Sequence, residues 1–437
     1  MRPRVLIVGT SPYSTSGTSR TFDAYFHYWE KDRVAQIFSR NWVPSKGHCA
    51  ELYQITDAQL LKRWLHRVKE TGTIYYYDKL EEQRGIQEIK DTASVGKLYS
   101  FGTKHSPIVE LLRRVLWKKK YWCTPKLDEW LDKFQPECVV YSFSNHVFFQ
   151  QVALYVAKRY DIPIVTLIGD DFYFNDKHSL SPAYHLFRKL FKSLTEDILY
   201  RNASCALYCS NKIKVKYNEY FHINGQTVYN TSAIPRRDFR VINTFNPLIV
   251  YFGSIRLGRN ESLLEIADAL GMINPSYKLT VYSTETDPSY FEELVSHPNV
   301  IYGKAIPYSE VLKLCKQCDI YVIAEGFDPD NINLTRYSLS TKVPDSLACG
   351  ASIFTYGPCE SGVVGYLKDT KASLVCTEKK DLQNSLRSLI EDAKLQFSLY
   401  EQAEKAFKQN HQIESTTCLF EAIINDTIIA YKGGIIE

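Results

Sequence analysis

Two arginines follow an apolar run in the segment YFGSIRLGRNESLLEIADAL, which covers residues 251–270. The apolar run ends at a glycine, and a helical pattern begins directly after the second arginine. A guanidinium is a fixed fork of donors that suits a diphosphate, and a helix N-terminus adds its dipole. The candidates for binding a nucleotide diphosphate here are Gly253, Ser254, Arg256 and Arg259. The alternative, that both arginines are solvated surface residues, stays open.

A lysine and an aspartate lie three residues apart in YSLSTKVPDSLACGASIFTYGP, residues 337–358. Lys342 and Asp345 share one face if this segment is helical. Gly350 then predicts the end of the helix, before an apolar strand. Lys342 can meet a phosphate, and Asp345 can accept hydrogen bonds from ribose hydroxyls. A plain surface salt bridge between the two is the alternative.

The first predicted strand leads into a small, hydroxylic loop, GTSPYSTSGTSRTF, residues 9–22. Backbone N–H groups at the start of a helix favour an anion or sugar hydroxyls, and Gly17 permits a close approach. We therefore take Gly17 and Thr18 as candidates for binding an anion or sugar hydroxyls. The loop is not a GxGxxG motif, and an ordinary strand-to-helix turn is the alternative.

Polar residues also follow two other predicted strands of the first half. Asp170 and Asp171 follow PIVTLIG, and His146 follows VVYSFSN. Ligands bind beyond the carboxyl ends of strands in doubly wound sheets, so Asp170 and His146 become candidates for a ligand site. An aspartate pair also suggests a metal, but no further carboxylate cluster accompanies it, so no metal site is expected. A histidine satisfied within its own loop is the alternative for His146.

These residues need elements to position them, and short β-branched runs alternate with helical stretches along the whole chain. Such alternation is typical of parallel α/β architecture. Strands that are apolar throughout indicate burial on both faces, as in doubly wound sheets. The predicted strands are residues 5–9, 139–143, 163–169, 205–210, 227–230, 248–254, 279–284, 300–303, 320–325, 351–357 and 373–377.

The polar segment 234–247 holds two prolines and separates two sets of predicted strands. It predicts two Rossmann-like, doubly wound parallel-sheet domains that face each other across a cleft. The expected boundaries are an N-terminal domain at 1–235, a linker at 236–247, a C-terminal domain at 248–415 and a final helix at 416–437. A chain of 437 residues has the length of two such domains.

Composition excludes several other classes of protein. The balance of 53 basic against 49 acidic residues gives +4, which is too mild to indicate a nucleic-acid partner. No stretch reaches the roughly 18 consecutive apolar residues of a membrane helix. The eleven cysteines are scattered, and the lone CxxC at Cys315 and Cys318 has no second pair to complete a zinc site. Reduced thiols in a cytoplasmic protein are therefore expected.

Together these segments resemble the nucleotide-sugar-dependent glycosyltransferases of the two-domain GT-B architecture, in particular family 4, also called glycosyl transferases group 1. The similarity is strongest at 248–270 and at 337–358. There, SLSTKVPDSLACGASIFTYGP resembles the family block K-x-x-E-x-x-A-x-G-x-P-V. The resemblance implies that the C-terminal domain binds the donor, that the N-terminal domain binds the acceptor, and that the last helix returns to the N-terminal domain. It makes Gly17, Thr18 and His146 acceptor-binding candidates and Asp170 a catalytic candidate.

Three family motifs differ in this sequence. The two carboxylates of the family's Glu-x7-Glu motif fall on Tyr337 and Asp345. Glu325, in AEGFDPD, resembles the family's E-G-F-G sequence, so we take it as a substitute for the first glutamate and as a catalytic candidate. Arg256, Arg259 and Lys342 stand in for the family's Arg…Lys diphosphate pair. The family's His-Asp after the third strand is here Gly169-Asp170.

The resemblance implies a glycosyltransferase of hexosyltransferase-like specificity. It would move a sugar from a nucleotide-diphosphate-sugar donor to a glycan or lipid-linked acceptor in cell-surface polysaccharide synthesis, with retention of configuration. Neither a metal nor another cofactor is expected. Two alternatives stay open: a non-catalytic nucleotide-sugar-binding protein on a degenerate GT-B fold, which Tyr337 favours, and a GT-B sugar-nucleotide epimerase.

Two segments combine basic and large apolar residues, RRVLWKKKYW at 113–122 and LFRKLFKSL at 186–194. Cationic and aromatic residues side by side favour anionic membrane surfaces. They predict a cytoplasmic protein that attaches peripherally to the inner face of the membrane, with Trp117 and Trp122 facing the lipid. A helix with one core face and one solvated basic face is the alternative.

Overall fold

The computed structural model describes residues 1–9, 11–12, 20–45, 47–80, 107–176 and 179–434. The chain divides into two compact units. Unit 1 comprises Met1–Val228 together with Thr417–Glu437, and unit 2 comprises Tyr229–Thr416. Each unit is built on one predominantly parallel sheet, which confirms the predicted fold class of two Rossmann-like α/β domains.

The sheet of unit 1 has the strand order β4-β3-β2-β1-β5-β6-β7-β8 and is parallel except for the β3–β4 pair. Its strands are β1 Val5–Val8, β2 Val34–Phe38, β3 Glu51–Gln54, β4 Thr73–Tyr76, β5 Cys138–Ser142, β6 Ile164–Ile168, β7 Ala203–Tyr208 and β8 Gln226–Thr227. The helices of this unit are α1 Arg20–Tyr25, α2 Asp57–Trp64, α3 Pro107–Leu116, α4 Lys119–Trp122, α5 Pro125–Phe134, α6 Val147–Tyr160, α7 Pro182–Glu196 and α8 Asn211–Phe221.

The sheet of unit 2 is parallel throughout, in the order β11-β10-β9-β12-β13-β14. Its strands are β9 Ile249–Phe252, β10 Leu279–Ser283, β11 Val300–Lys304, β12 Ile320–Ala324, β13 Ser352–Tyr356 and β14 Leu374–Cys376. The helices are α9 Arg259–Ile273, α10 Pro288–Ser296, α11 Tyr308–Gln317, α12 Pro329–Thr335, α13 Lys342–Cys349, α14 Gly362–Asp369, α15 Leu382–Glu391 and α16 Ala393–Asn410, and α17 Ile413–Lys432 follows.

The apolar strands are buried because helices cover both faces of each sheet. In unit 2, β9, β12 and β13 are buried at every position. Their side chains alternate between two hydrophobic clusters, one on each face. Ile249 and Tyr251 belong to one cluster, whereas Val250 and Phe252 belong to the other.

Three strands of unit 1, β2, β3 and β4, were not predicted. The side chains of Gln36 and Gln54 interrupt the apolar pattern of the first two, although both are buried in the sheet. The third, β4, is a short TIYY segment paired antiparallel to β3. The other strands were predicted from continuous apolar runs. These three strands were missed because they contain polar residues or, in the case of β4, are short and antiparallel to their neighbour.

The predicted linker at 236–247 lies within unit 2 and is held to it by arginine side chains. Arg236 donates to the carbonyl of Leu347 at 2.7 Å, and Arg237 donates to the carbonyl of Cys318 at 2.9 Å. The polar character that suggested a linker therefore comes from side chains that bind the ends of neighbouring elements. The division between the units falls after Val228 and after Thr416 instead.

The prediction that Trp117 and Trp122 face a membrane is wrong, because both side chains are buried in unit 1. Trp117 stacks on Phe148 with ring centroids 3.9 Å apart, and its indole N–H donates to Asp57 at 2.7 Å. Trp122 donates its indole N–H to the carbonyl of Trp117 at 2.9 Å. The described residues contain no helix that is both long and apolar enough to cross a bilayer.

Gly350 ends α13 in the left-handed conformation, with φ +82°. A Cβ at this position would lie 2.8 Å from the carbonyl oxygen of Arg237. We expect Gly350→Ala to lower the stability of unit 2 by about 2 kcal/mol, since strain and crowding act together. Amide hydrogen exchange in β12 and β13 measures this effect.

The control is Gly169→Ala, because nothing lies within 4 Å of a Cβ at Gly169. We expect a change of no more than about 0.5 kcal/mol there. All six tryptophans lie in unit 1, so fluorescence during urea unfolding follows that unit alone. If both variants lost the same free energy of unfolding, the steric argument at Gly350 would be contradicted.

Candidate functional site

The strand order of the unit 2 sheet reverses between β9 and β12. In open α/β sheets such a switch point opens a crevice at the carboxyl ends of the two strands. Two loops meet there, one after each strand. A Cβ on Gly326 would overlap the carbonyl of Leu257 and would lie 2.9 Å from the Cα of Gly258, so the two backbones are in close contact.

An ion pair connects these two loops. Arg259, the first residue of α9, donates through Nη2 to both carboxylate oxygens of Glu325, at 3.1 and 2.9 Å. The Arg259 side chain is 13% exposed and that of Glu325 is 2% exposed. The Glu325 carboxylate raises the pKa of Arg259 although burial alone would lower it. The structure thus brings together two of the predicted site residues.

The backbone around Glu325 is fixed by short-range contacts. Ser262, one turn into α9, donates its hydroxyl to the carbonyl of Glu325 at 2.8 Å. Gly357, directly after β13, allows the Glu325 side chain to pass, since a Cβ there would lie 2.9 Å from that of Glu325. The carboxylate therefore faces Arg259 with little freedom to move.

Lys342 enters the same site from the first turn of α13. Its ammonium nitrogen donates to the hydroxyl of Tyr251 at 2.7 Å, and that hydroxyl donates to the carbonyl of Ser254 at 2.5 Å. Gly253 has φ +116°, and a Cβ there would lie 2.6 Å from Cε of Lys342. Glycine is needed at this position because the lysine chain passes directly over it. We call Tyr251, Arg259, Glu325 and Lys342 the cation cluster.

The electrostatics of the cation cluster act against a charge on Lys342. The residue keeps partial surface exposure, but its ammonium nitrogen is enclosed. Burial and then the charge of Arg259 lower the pKa of Lys342 to about 7, while Glu325 acts in the opposite direction. Near neutral pH the lysine therefore exchanges readily between its charged and neutral forms.

The Nε–H of Arg259 is buried and has no hydrogen-bond partner among the described residues. An unpaired buried donor of this kind carries a desolvation cost of about 1–3 kcal/mol. A ligand oxygen that accepts a hydrogen bond from this group would remove the cost. The cluster is therefore suited to an anion with several oxygen acceptors, such as a diphosphate.

The two predicted arginines do not act together. Arg256 makes a bidentate pair with Glu285, at 2.6 and 2.9 Å, on the loop after β10. Its side chain is 52% exposed, and it lowers the pKa of Glu285 to about 2. Ser254, which is also exposed, accepts a hydrogen bond from the backbone N–H of Arg256 at 3.3 Å. Arg256 is thus engaged by a different loop from the one that holds Arg259.

Asp345 lies in the first turn of α13, as its spacing from Lys342 predicts, but the two residues do not pair with each other. It is buried and accepts a hydrogen bond from the hydroxyl of Ser232 at 2.6 Å. The hydroxyl of Tyr308 lies 3.4 Å from the same carboxylate oxygen. The surface salt bridge considered as an alternative is therefore absent.

The site residues predicted in unit 1 differ in their exposure and contacts. Asp170 is exposed, whereas Asp171 is buried and accepts hydrogen bonds from the hydroxyl of Tyr217 and the N–H of Phe174, both at 2.9 Å. Across the described ranges, no group of three histidine, cysteine, aspartate or glutamate residues could hold a metal ion. Gly17 and Thr18 lie outside the described residues.

His146 lies at the N-terminus of α6, where its Nδ1 is 3.8 Å from a carboxylate oxygen of the buried Glu110. Burial would raise the pKa of Glu110, but the hydrogen bond and charge of His146, together with Arg113, lower it. His146 therefore serves an internal ion network in this structure, and its role in acceptor binding stays a prediction.

Sequence reasoning missed Tyr251, Ser262 and Glu285. Tyr251 is a fully buried strand residue in an apolar run, and nothing in the sequence distinguishes it from a core tyrosine. Ser262 lies one turn after Arg259 on α9, so its helical spacing was the only available signal. Glu285 follows β10, and its position at the carboxyl end of a strand was a usable signal.

Residues 259–418 match the family model described as glycosyl transferase-like, and this range contains three residues of the cation cluster. No curated protein matches the chain in sequence. The solved structure of HepE from Anabaena in complex with UDP has a TM-score of 0.59 and 13% sequence identity. The match covers 98% of this chain and 100% of that one.

Two further solved structures have a similar fold. Sucrose-phosphate synthase from Thermosynechococcus elongatus gives a TM-score of 0.59 at 12% identity, covering 98% of this chain and 100% of that one. An α,α-trehalose-phosphate synthase (UDP-forming) from Burkholderia xenovorans in complex with glucose-6-phosphate gives 0.57 at 10%, covering 97% and 99%. At these identities the likeness establishes the fold. The predicted resemblance to GT-B glycosyltransferases is confirmed.

The lowered pKa of Lys342 has a consequence for stability. In the unfolded chain a lysine keeps its proton up to about pH 10.4, whereas in unit 2 Lys342 loses it near pH 7. Between these two values the unfolded state binds more protons, so the contribution of Lys342 to stability rises with pH. We expect Lys342→Met to remove a slope of up to about 1.4 kcal/mol per pH unit in this window.

Hydrogen exchange in β9 and β12 at pH 7 and at higher pH, in the wild type and in Lys342→Met, measures this slope. The variant Lys394→Met, at an exposed lysine on α16, is the matched control and should leave the slope unchanged. The same pH dependence in the wild type and in Lys342→Met would contradict the assignment.

Proposed function

We propose that this GT-B protein is a glycosyltransferase that moves a sugar from a nucleotide-diphosphate-sugar to a hydroxyl group of a glycan or lipid-linked acceptor. The observation that carries the proposal is Arg259, a buried cation with an unpartnered donor at the switch point of the unit 2 sheet. The match of residues 259–418 to a glycosyl transferase-like family supports it. So does the fold shared with HepE, which was solved with UDP.

The donor diphosphate would lie against the cation cluster at the N-terminus of α9. Arg259 offers its unpaired Nε–H, and the first turn of the helix adds the positive end of its dipole. Lys342 becomes charged when a phosphate approaches, because the anion offsets the effects of burial and of Arg259 on its pKa. The positive charge of the site therefore increases when the negatively charged ligand binds.

The same groups would assist the chemical step. When the bond between the sugar and the diphosphate breaks, negative charge grows on the leaving phosphate oxygen. Arg259 and Lys342 are already in place around that position, and preorganised cations stabilise such a developing charge. The acceptor hydroxyl forms the new bond to the sugar carbon and passes its proton to the departing diphosphate, so that the products are the glycoside and the free nucleotide. Retention of configuration and independence of metal ions are parts of the proposal that rest on the family resemblance.

Glu325 acts through Arg259 in this proposal and is a positioning residue. Both of its carboxylate oxygens accept from Nη2, which anchors one end of the guanidinium and leaves the Nε–H available to the ligand. Asp345, held by Ser232, is proposed to bind the ribose. Asp170, exposed after β6, stays a catalytic candidate on the acceptor side.

Cell-surface polysaccharide synthesis and a cytoplasmic location are part of the same proposal. The role in polysaccharide synthesis rests on the family resemblance. The cytoplasmic location rests on the reduced cysteines expected from the sequence. The structure gives every cysteine in the described ranges as a free thiol.

Arg259→Gln should weaken UDP binding by about 30- to 150-fold, because a charge-assisted hydrogen bond of about 2–3 kcal/mol is lost. Part of this loss comes from leaving the Glu325 carboxylate buried and unpaired beside the phosphates. The double variant Arg259→Gln/Glu325→Gln should therefore recover part of the affinity. Titration calorimetry with UDP measures both effects.

Two variants serve as comparisons. Arg387→Gln removes an exposed arginine of unit 2 that pairs only loosely with Glu391, at 3.9 Å, and should leave UDP binding unchanged. Arg256→Gln should cost less than about fivefold, since Glu285 already holds that side chain. Unchanged affinity in Arg259→Gln would overturn the donor-site assignment.

Product analysis separates the remaining functions. We expect a panel of UDP-sugars with oligosaccharide and lipid-linked acceptors to yield a new glycosidic bond together with free UDP. Donor binding without turnover would favour the non-catalytic alternative, which Tyr337 in place of the family glutamate supports. Release of UDP with an altered free sugar and no glycosidic product would indicate an epimerase.

A further inference from the structure

Helix α3, Pro107–Leu116, carries apolar residues on its outer side and charged residues on its inner side. Ile108, Leu112 and Val115 are 59%, 61% and 50% exposed. Their spacing places them in one stripe along the helix. The opposite side carries Glu110, which is buried, and Arg113. Surface helices of water-exposed proteins have the reverse arrangement, so the outer stripe requires an explanation.

An internal ion network fixes α3 in this orientation. Arg113 pairs with Asp57 at 2.8 Å and with Glu110 at 3.2 Å, and His146 approaches Glu110 at 3.8 Å. Asp57 also accepts the indole N–H of Trp117, the residue directly after the helix. Turning the apolar stripe inward would break these contacts and leave buried charges unpaired, which is costly. The stripe is therefore held outward by the fold.

Basic residues border one end of the stripe. Lys118, Lys119 and Lys120 are exposed, and Arg114 is partly exposed. Between residues 107 and 122 the only acidic residue is the buried Glu110, so the exposed charges of this segment are all basic. We call Ile108, Leu112 and Val115 the apolar stripe, and Arg114 with Lys118–Lys120 the basic rim.

A cavity of about 480 Å³ connects the stripe to the rim. The residues that line it are Arg114, Val115, Lys118, Lys119 and Trp122, together with Gln151 and Tyr155 of α6. The ammonium of Lys119 lies 4.3 Å from the centre of the Tyr155 ring. The cavity thus has cations at its edge and apolar surface inside, which matches an anionic headgroup joined to a hydrocarbon chain.

We propose that the apolar stripe and the basic rim form the surface by which unit 1 docks on an anionic lipid bilayer. The three aliphatic side chains insert at the headgroup boundary, and the basic rim contacts lipid phosphates. Trp117 takes no part because it is a core residue, and Trp122, which is also buried, contributes only to the wall of the cavity. This proposal is independent of the proposed function, since it concerns residues outside the cation cluster.

Charge decides against a second copy of the chain as the occupant. In a two-fold symmetric dimer the same patch meets itself, so the basic rim of one copy would face that of the other. Like charges in such a contact are unfavourable. Anionic phosphates satisfy the rim and hydrocarbon satisfies the stripe, and an anionic bilayer supplies both on one surface.

The full chain is tested by co-sedimentation with vesicles of phosphatidylcholine and phosphatidylglycerol, mixed at about two to one, at low and at high salt. We expect binding that falls with salt. Lys118→Gln/Lys119→Gln/Lys120→Gln should lower the partition constant on the order of 100-fold, since each lysine near an anionic surface contributes about a factor of five. Leu112→Asp should lower it about tenfold or more, even at low salt.

The matched control is Lys379→Gln/Lys380→Gln/Lys394→Gln, which removes the same charge from three exposed lysines of unit 2 and should bind vesicles as the wild type does. Hydrogen exchange in β9 and β12 measures whether unit 2 of each variant is folded, and tryptophan fluorescence reports on unit 1. Absence of vesicle binding by the folded wild type would overturn the proposal. Binding to pure phosphatidylcholine vesicles that equals binding to the anionic vesicles and does not depend on salt would also overturn it. A dimer in solution that dissociates in Leu112→Asp would overturn it as well.

Discussion

The buried pair between Arg259 and Glu325 joins the ends of two adjacent strands from which the sheet extends in opposite directions. Burying either charge alone would be costly, and removing one partner would leave the other uncompensated. Because the pair exists, a cation can stay at the switch point without a ligand. Burial lowers the pKa of Lys342 most, and the charge of Arg259 lowers it further, while Glu325 acts in the opposite direction. The contact between Arg259 and Glu325 therefore holds in place both charges that act on Lys342.

Close backbone packing makes that contact geometrically attainable. Gly326 allows the loop after β12 to approach the loop after β9, and Gly253 gives the Lys342 chain room to cross the end of β9. At both positions a Cβ would overlap or crowd a neighbouring atom. Side chains of opposite charge, contributed by separate crossover connections, can therefore meet within hydrogen-bond distance. The chemistry of the cluster depends on these two glycines as much as on its charged residues.

The sequence predicted unit 2 better than unit 1, and the reason is physical. Continuous apolar runs, such as those of β12 and β13, indicate strands buried on both faces. In unit 1, Gln36 and Gln54 break the same pattern although both are buried. The position of Lys342 was predictable because the cap and the spacing of α13 are local features.

The fate of the two arginines was not predictable, because it depends on contacts between residues far apart in sequence. Arg256 and Arg259 are three residues apart, yet one pairs with Glu285 and the other with Glu325. The same limit applies to Trp117, which local composition placed at a surface. Its contacts with Asp57 and Phe148 place it in the core instead.

The division of the chain has a consequence for its synthesis. Unit 2 is one uninterrupted segment, whereas unit 1 needs the residues after Thr416. Phe420 of α17 stacks on Tyr25 with ring centroids 5.0 Å apart, and Ile424 joins the same core. A ribosome therefore completes all of unit 2 before it makes the helix that closes the core of unit 1. Throughout that interval Tyr25 and its apolar neighbours lack the side chains of α17 that cover them in the finished unit.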